Sequence, residues 1–129
     1  MNAQGHSAGS ILVGGLLDEL IERCGEPATV GDLSAARKSF DDRRGRVFED
    51  EELWERWTQA FLEWYVLERV APDADAPPVV LALRAEAEPA RVAGLRALVT
   101  SQRSLFEVRA LRPGGVELHD LLGGGEFAV

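Results

Sequence analysis

Two ionisable side chains in this chain have the residue types that acid–base chemistry needs. Glu68 falls within an aromatic stripe of the segment from Glu49 to Val70, and His119 lies in a predicted strand. A carboxylate in an apolar pocket has a raised pKa and can act as a general base. A buried, unpaired carboxylate is costly, so we favour a structural role for Glu68, a buried charge held by an arginine. The candidate partners are Arg69, Arg103 and Arg109.

Nucleophilic or cofactor-dependent chemistry has little support in the sequence. Cys24 and His119 form a conceivable nucleophile and base, but nothing in the sequence positions one beside the other. A single cysteine excludes an intrachain disulfide and any multi-cysteine zinc site. No phosphate-binding GxxxxGKS/T loop, GxGxxG turn or HExxH helix is present. We therefore expect no cofactor and no catalytic site, and keep an enzyme that uses Glu68 and His119 as the second alternative.

A basic segment offers a different kind of site. Its cations outnumber its two aspartates, Asp41 and Asp42, by 5 − 2 = 3. The segment predicts either a surface that binds an anion or nucleic acid or positive charge that complements a helix C-terminus, and we favour the second for the charges themselves. An adaptor that binds an anion or nucleic acid through this segment is the first alternative function. A net charge of −8 makes nucleic acid an unlikely partner, because such a surface repels phosphates. The cations are Arg37, Lys38, Arg43, Arg44 and Arg46.

Five amphipathic segments must position these residues. Apolar residues recur at three-to-four-residue spacing, which predicts helices. Asp32 or Thr29 is expected to cap the second helix. The predicted helices are Ile11–Cys24, Thr29–Arg44, Glu49–Val70, Val79–Glu88 and Pro89–Gln102.

The third predicted helix organises the fold. It contains all three tryptophans and the only tyrosine, and its main apolar stripe has a weaker one on the opposite side. A helix that is apolar on two sides is expected to lie between two layers. The main stripe consists of Leu53, Trp57, Ala60, Phe61, Trp64 and Leu67, and the weaker one of Leu62, Val66 and Val70.

After Arg103 the apolar period changes from about 3.6 to about 2, which predicts strands. Phe106, Val108 and Ala110 are expected on one face of the first strand. Turns at Arg112–Gly115 and Gly123–Gly125 lead to strands over Val116–Leu122 and Glu126–Val129. The sequence therefore predicts an α+β fold of four to five helices around a central aromatic helix, ending in a three-stranded antiparallel meander.

Length and composition place this fold in one domain. Residues 1–10 are expected to form a disordered tail and residues 11–129 a single α+β domain. The chain ends inside its third strand, which suggests that it is trimmed or that a longer parent protein continues. No apolar run approaches the roughly 20 residues that span a bilayer, so we expect no membrane association and a cytoplasmic location.

Three blocks of sequence resemble a poorly characterised bacterial family. The blocks are EWYVLER at 63–69, SLFEV at 104–108 and DLLGG at 120–124. Similar proteins pair an aromatic EWYxxxR-like helix with an SLFEV-like strand and a DLLxG-like strand pair, and some are longer proteins with a SEC-C zinc tail. That tail is absent here, so the resemblance implies no zinc, and it implies no enzyme activity that can be named.

A non-enzymatic interaction module is the function that these observations favour. A terminal strand offers unpaired backbone groups to another chain. We therefore expect another protein, or a second copy of this chain, to bind through a sheet edge or through the apolar residues of the N-terminal helix.

Overall fold

Five helices followed by a small sheet make up the structure. A computed structural model describes residues 2–27 and 30–129, and confirms the predicted α+β fold. The helices are α1 (Asn2–Arg23), α2 (Val30–Arg44), α3 (Trp54–Leu67), α4 (Pro78–Ala85) and α5 (Pro89–Val99). The strands are β1 (Phe106–Arg112), β2 (Gly115–Asp120) and β3 (Glu126–Ala128).

The helices differ in extent from their predictions, most of all α1 and α3, while α4 and α5 each end three residues before their predicted ends. Helix α1 begins at Asn2, well before Ile11, and so includes most of the segment predicted to be a disordered tail. Helix α3 begins at Trp54 and ends at Leu67, so it is shorter than Glu49–Val70 at both ends. The acidic run from Glu49 forms turns instead of a first helical turn, and within them the Glu51 side chain accepts a hydrogen bond from the Phe48 N–H.

Helix α3 lies at the centre of the helical layer, as predicted. It contacts α1, α2 and α4, and its Phe61, Tyr65 and Val66 are buried. The apolar side of α1 packs against the same core through a separate set of side chains. These are Leu12, Val13, Leu16, Leu17, Leu20 and Ile21.

The contact between α1 and α5 depends on a glycine. A Cβ atom at Gly94 would lie 2.5 Å from Cδ1 of the buried Leu16, whereas nothing lies within 4 Å of one at Gly15. An added methyl favours helix by about 0.5–1 kcal/mol through backbone entropy, but only where it fits. Close approach of the two helices is therefore the reason for glycine at position 94.

Two alanine substitutions separate this packing from helix propensity. We expect Gly94→Ala to lower the free energy of unfolding, because Leu16 must leave its packed rotamer. The matched Gly15→Ala is expected to raise it by about 0.5–1 kcal/mol. Urea denaturation of both variants measures the two changes, and a Gly94→Ala variant as stable as Gly15→Ala would contradict this explanation.

The sheet is an antiparallel meander in the order β1-β2-β3. Its strands contact one another far more than they contact the helices. Pro113 and Gly114 join β1 to β2, and Gly114 has the positive φ of 80° that the third position of a type II turn requires.

A bulge at Arg109 changes which side chains share a face. Val108 pairs with Leu118, but Ala110 pairs with Glu117, so Arg109 has no partner in the ladder. The prediction that Ala110 lies on the face of Phe106 and Val108 is therefore wrong. The extra residue moves Ala110 to the other face and brings Leu111 to the face of Val108 instead.

Candidate functional site

Glu68 is exposed, so the predicted burial of its charge is wrong. Helix α3 ends at Leu67, and Glu68 is its C-cap residue with φ of −125°. The helical period that placed Glu68 in the aromatic stripe therefore stops just before it. The three predicted partners pair with other acids: Arg69 with Asp32, Arg103 with Glu63, and Arg109 with Glu107.

Glu68 and His119 do not share a cleft. A cleft of about 180 Å³ beside Glu68 is bounded by the end of α3 and the residues around the end of α5, and His119 does not line it. His119 lies on β2, where its Nδ1 is 2.6 Å from a Glu126 carboxylate oxygen on β3. The two side chains considered for acid–base chemistry therefore do not meet in this cleft.

Cys24 is a buried residue of the helical core. Its Sγ donates a hydrogen bond to the Leu20 carbonyl at 3.3 Å, and burial raises the pKa of the thiol. A thiol with a raised pKa is a poor nucleophile at neutral pH. Cys24 lies in the turn that follows α1, whereas His119 lies on β2.

The basic segment covers the aromatic side of α3. The guanidinium of Arg37 lies 5.0 Å from the ring centroids of both Trp54 and Phe61. That of Arg44 lies 4.9 Å from the Phe40 centroid and 5.9 Å from that of Trp64. These stacked cations cover apolar rings as well as carrying charge.

Acidic side chains lie among the cations of this segment. Arg37 is 3.3 Å from Asp41, and Lys38 is 3.8 Å from Asp42. A groove of about 400 Å³ along α2 is lined by these four side chains together with Ser34 and Arg46. Two carboxylates in the groove oppose an anion, so anion binding through Arg37, Lys38, Arg43, Arg44 and Arg46 stays a prediction that the geometry does not favour.

Asp32 lies within the first turn of α2 and is not its N-cap residue; Thr29, the other predicted cap, lies outside the described residues. The Asp32 side chain instead joins α2 to α3 through two residues that it was not predicted to meet. The Tyr65 hydroxyl donates a hydrogen bond to Asp32 Oδ2 at 2.5 Å, and Arg69 binds both carboxylate oxygens at 2.6 and 3.0 Å. The Arg69 hydrogen bond lowers the pKa of Asp32, whereas burial, and then the bond to Asp32, raise that of Tyr65. The carboxylate is therefore ionised and the phenol protonated at neutral pH, and each stabilises the other.

A cleft of about 560 Å³ opens beside this network, between helices α1 to α4 and the loop that joins α3 to α4. Its walls are mainly small apolar residues, among them Ala74, Ala82 and Ala85. Ligand sites of this size combine apolar walls with a few convergent polar groups. Here Asp32 and Tyr65, which line the cleft, are bonded to each other, so their polar groups are engaged within the fold.

Asp120 organises the end of the sheet. It is 1% exposed, and four groups donate hydrogen bonds to it. The donors are the Gln102 amide at 2.5 Å, the Ser104 hydroxyl, and the backbone N–H groups of Leu122 and Gly123 at 2.9 Å each. One carboxylate thus fixes both the entry to β1 and the turn between β2 and β3. The hydrogen bond from Ser104 is the main reason why the pKa of Asp120 is lowered.

The lowered pKa of Asp120 predicts how acid affects stability. A carboxyl group whose pKa falls on folding stabilises the native state above its unfolded pKa of about 3.9, and this contribution is lost as the pH falls through the folded pKa. We expect the urea concentration at the midpoint of unfolding to decrease as the pH falls below about 4. This decrease should be less steep in Asp120→Asn than in the wild type. Urea titrations across this range test the difference; equal acid slopes would contradict it.

The sheet has one apolar and one charged face. Side chains directly opposite in the ladder share a face, so the register assigns each residue. Leu111 is 82% exposed, Val129 71% and Val108 56%, so no helix covers these parts of the apolar face. The apolar face consists of Phe106, Val108, Leu111, Val116, Leu118, Phe127 and Val129, and the charged face includes Glu107, Arg112, Glu117, His119 and Glu126.

The outer edge of β1 is open as well. Val116 and Val129 exchange backbone hydrogen bonds at 2.8 and 2.9 Å, which directs the even-numbered residues of β2 towards β3. The odd-numbered residues of β2 therefore bond β1. Since Phe106, Val108 and Leu111 lie opposite even-numbered residues, their backbone N–H and C=O groups point away from the sheet.

Comparison of the chain with protein-family models, with curated proteins and with solved structures finds no match. Over residues 2–27 and 30–129, no helix is long and apolar enough to cross a membrane. Within the same part of the chain, no three His, Cys, Asp or Glu side chains are grouped closely enough to hold a metal ion.

Proposed function

We propose that this chain is a non-enzymatic protein-interaction module that binds its partner through the C-terminal sheet. The observation that carries the proposal is the coincidence of an uncovered apolar face with an open strand edge on the same element. Exposed apolar residues that cluster on one surface are typical of interaction sites, whereas single ones are ordinary. The expected setting is the cytoplasm.

The alternative surface, on the N-terminal helix, has less support. The apolar side of α1 packs against the core, and its Leu16 and Leu20 are buried. The sheet, in contrast, presents exposed apolar residues on β1 and β3, at the chain end beyond β3, and in the turn that follows β2. Leu105, Leu121 and Leu122 are further exposed apolar residues at one end of the sheet.

Strand addition is the binding mode that this geometry fits. A partner strand alongside β1 would bond the outward backbone groups of Phe106, Val108 and Leu111. Backbone hydrogen bonds supply affinity in this mode, and the alternate side chains supply specificity. The apolar face gives such a strand side chains to pack against on one side, and the charged face gives it ion pairs on the other.

A pair of substitutions on β1 tests this function. The variant Val108→Asp/Leu111→Asp is expected to lose the proteins that copurify with the wild type, because a charge buried against a partner is costly. The control Leu53→Asp changes an equally exposed residue, 58% accessible, at the start of α3. Quantitative mass spectrometry of the three preparations measures the outcome, and partners that survive both changes equally would contradict the proposal.

A further inference from the structure

We propose that the partner at this edge is a second copy of the chain, which pairs its β1 antiparallel to β1 of the first copy. This inference rests on the proposed function of the sheet and names the molecule that the sheet binds. In the pairing, Val108 of one copy lies opposite Leu111 of the other, and Glu107 lies opposite Arg112. The two three-stranded sheets become one six-stranded sheet.

The bulge makes β1 complementary to itself. Without it, the outward backbone groups would occur at every second residue, and Val108 could not lie opposite Leu111 in a two-fold pairing. With it, Arg109 and Ala110 both lie between the outward residues Val108 and Leu111. A two-fold axis between Arg109 and Ala110 then sets Val108 of each copy against Leu111 of the other. Both members of each such pair carry outward backbone groups.

The same bulge discourages other strands. A bulged edge does not match the regular spacing of an ordinary strand, and natural sheets use bulges to block unwanted pairing. A copy that carries the same bulge at the same position restores the match. The bulge thus favours pairing of β1 with a second copy of β1 over pairing with the regular edge strand of another protein.

The side chains agree with this register on both faces. Val108 and Leu111 both belong to the apolar face, so the pairing places two apolar residues side by side. Glu107 and Arg112 both belong to the charged face, so the same pairing places opposite charges side by side, twice in the dimer. Within one copy these charges also meet Arg109 and Glu117, at 3.1 and 2.6 Å, and the pairing would extend these contacts into a network across the junction.

Charge exchange tests the register directly. Glu107→Arg sets arginine against arginine in its own dimer, and Arg112→Glu sets glutamate against glutamate, so each variant should dimerise about tenfold more weakly than the wild type. An equimolar mixture of the two restores opposite charges at both contacts and should associate as strongly as the wild type. Glu126→Arg, a reversal on β3 at the opposite edge, should leave dimerisation unchanged. Sedimentation equilibrium measures the wild type and these four preparations.

The results separate this inference from the function on which it rests. A wild type that stays monomeric at high concentration overturns the inference. The copurification experiment then still tests the proposed protein-interaction function by itself. A wild-type dimer that neither charge variant weakens means that the copies meet elsewhere, and also overturns it. Concentration-dependent protection of the Val108 and Leu111 amides from hydrogen exchange, with none at Glu126 and Ala128, is the second expected result; the reverse pattern would place the junction at β3.

Discussion

Phe40→Ala is expected to lower the free energy of unfolding by about 3–5 kcal/mol, the largest single effect that this fold predicts. Phe40 is 2% exposed, and its ring centroid lies 5.3 Å from those of both Trp57 and Trp64 and 5.4 Å from that of Phe61. Truncation removes the contacts of the Phe40 ring with three aromatic residues of α3 and leaves a cavity among rigid rings. Denaturant unfolding followed by tryptophan fluorescence measures the loss.

Phe48→Ala is the matched control. The Phe48 ring is 54% exposed and contacts the Arg46 guanidinium at 4.8 Å, so its truncation should change stability by no more than about 0.5 kcal/mol. A loss below about 1 kcal/mol for Phe40→Ala would mean that the aromatic cluster does not hold α2 against α3.

Asp32→Ala is expected to cost about 2–3 kcal/mol, because it leaves the largely buried Arg69 and the Tyr65 hydroxyl without their shared acceptor. Tyr65→Phe removes one donor while the ion pair remains, so its cost should be nearer 1 kcal/mol. Equilibrium unfolding of both variants in urea measures the two costs.

A double-mutant cycle tests whether Asp32 and Arg69 act as a pair. The double variant Asp32→Ala/Arg69→Ala should cost clearly less than the sum of the two single changes, because neither charge is then left without its partner. Strict additivity would show that the ion pair contributes nothing of its own.

The periodicity of the chain was sufficient to predict its architecture. The change of apolar spacing after Arg103 located the transition from helices to strands, and the density of aromatics between Trp54 and Tyr65 identified the central helix. Helix ends were less predictable, because they depend on local hydrogen bonds. The turn around Glu51 precedes α3, which therefore begins at Trp54 and not at Glu49. Helix α3 ends at Leu67, so Glu68 does not belong to its apolar stripe.

The polar contacts could not be predicted, because their partners are distant in sequence. Asp32 resembles an ordinary helix cap, and only folding brings it to Tyr65 and Arg69, 33 and 37 positions away. For Asp120 a signal did exist: an aspartate followed by a glycine-rich turn accepts backbone hydrogen bonds readily. Its position on the apolar face of β2 then indicates that such bonds must satisfy it.

The bulge at Arg109 could not be predicted from the sequence, for a different reason. A single added residue reverses the faces of every residue beyond it, and the run from Phe106 to Leu111 fits an unbroken alternation almost as well. A glycine in a strand often indicates a bulge, but the residue at this bulge is an arginine, Arg109. The feature that sets the composition of the binding face is therefore one that only the structure reveals.

Site-specific photo-crosslinking in the cells that naturally make this protein is the most direct test that the sheet is its binding surface. A photoreactive amino acid replaces Leu111 in one strain and the exposed Ala87, between α4 and α5, in another. We predict a discrete adduct from position 111 and none from position 87, and an adduct twice the mass of the chain would identify a second copy. Equal adducts at both positions, or none at position 111, would contradict the account.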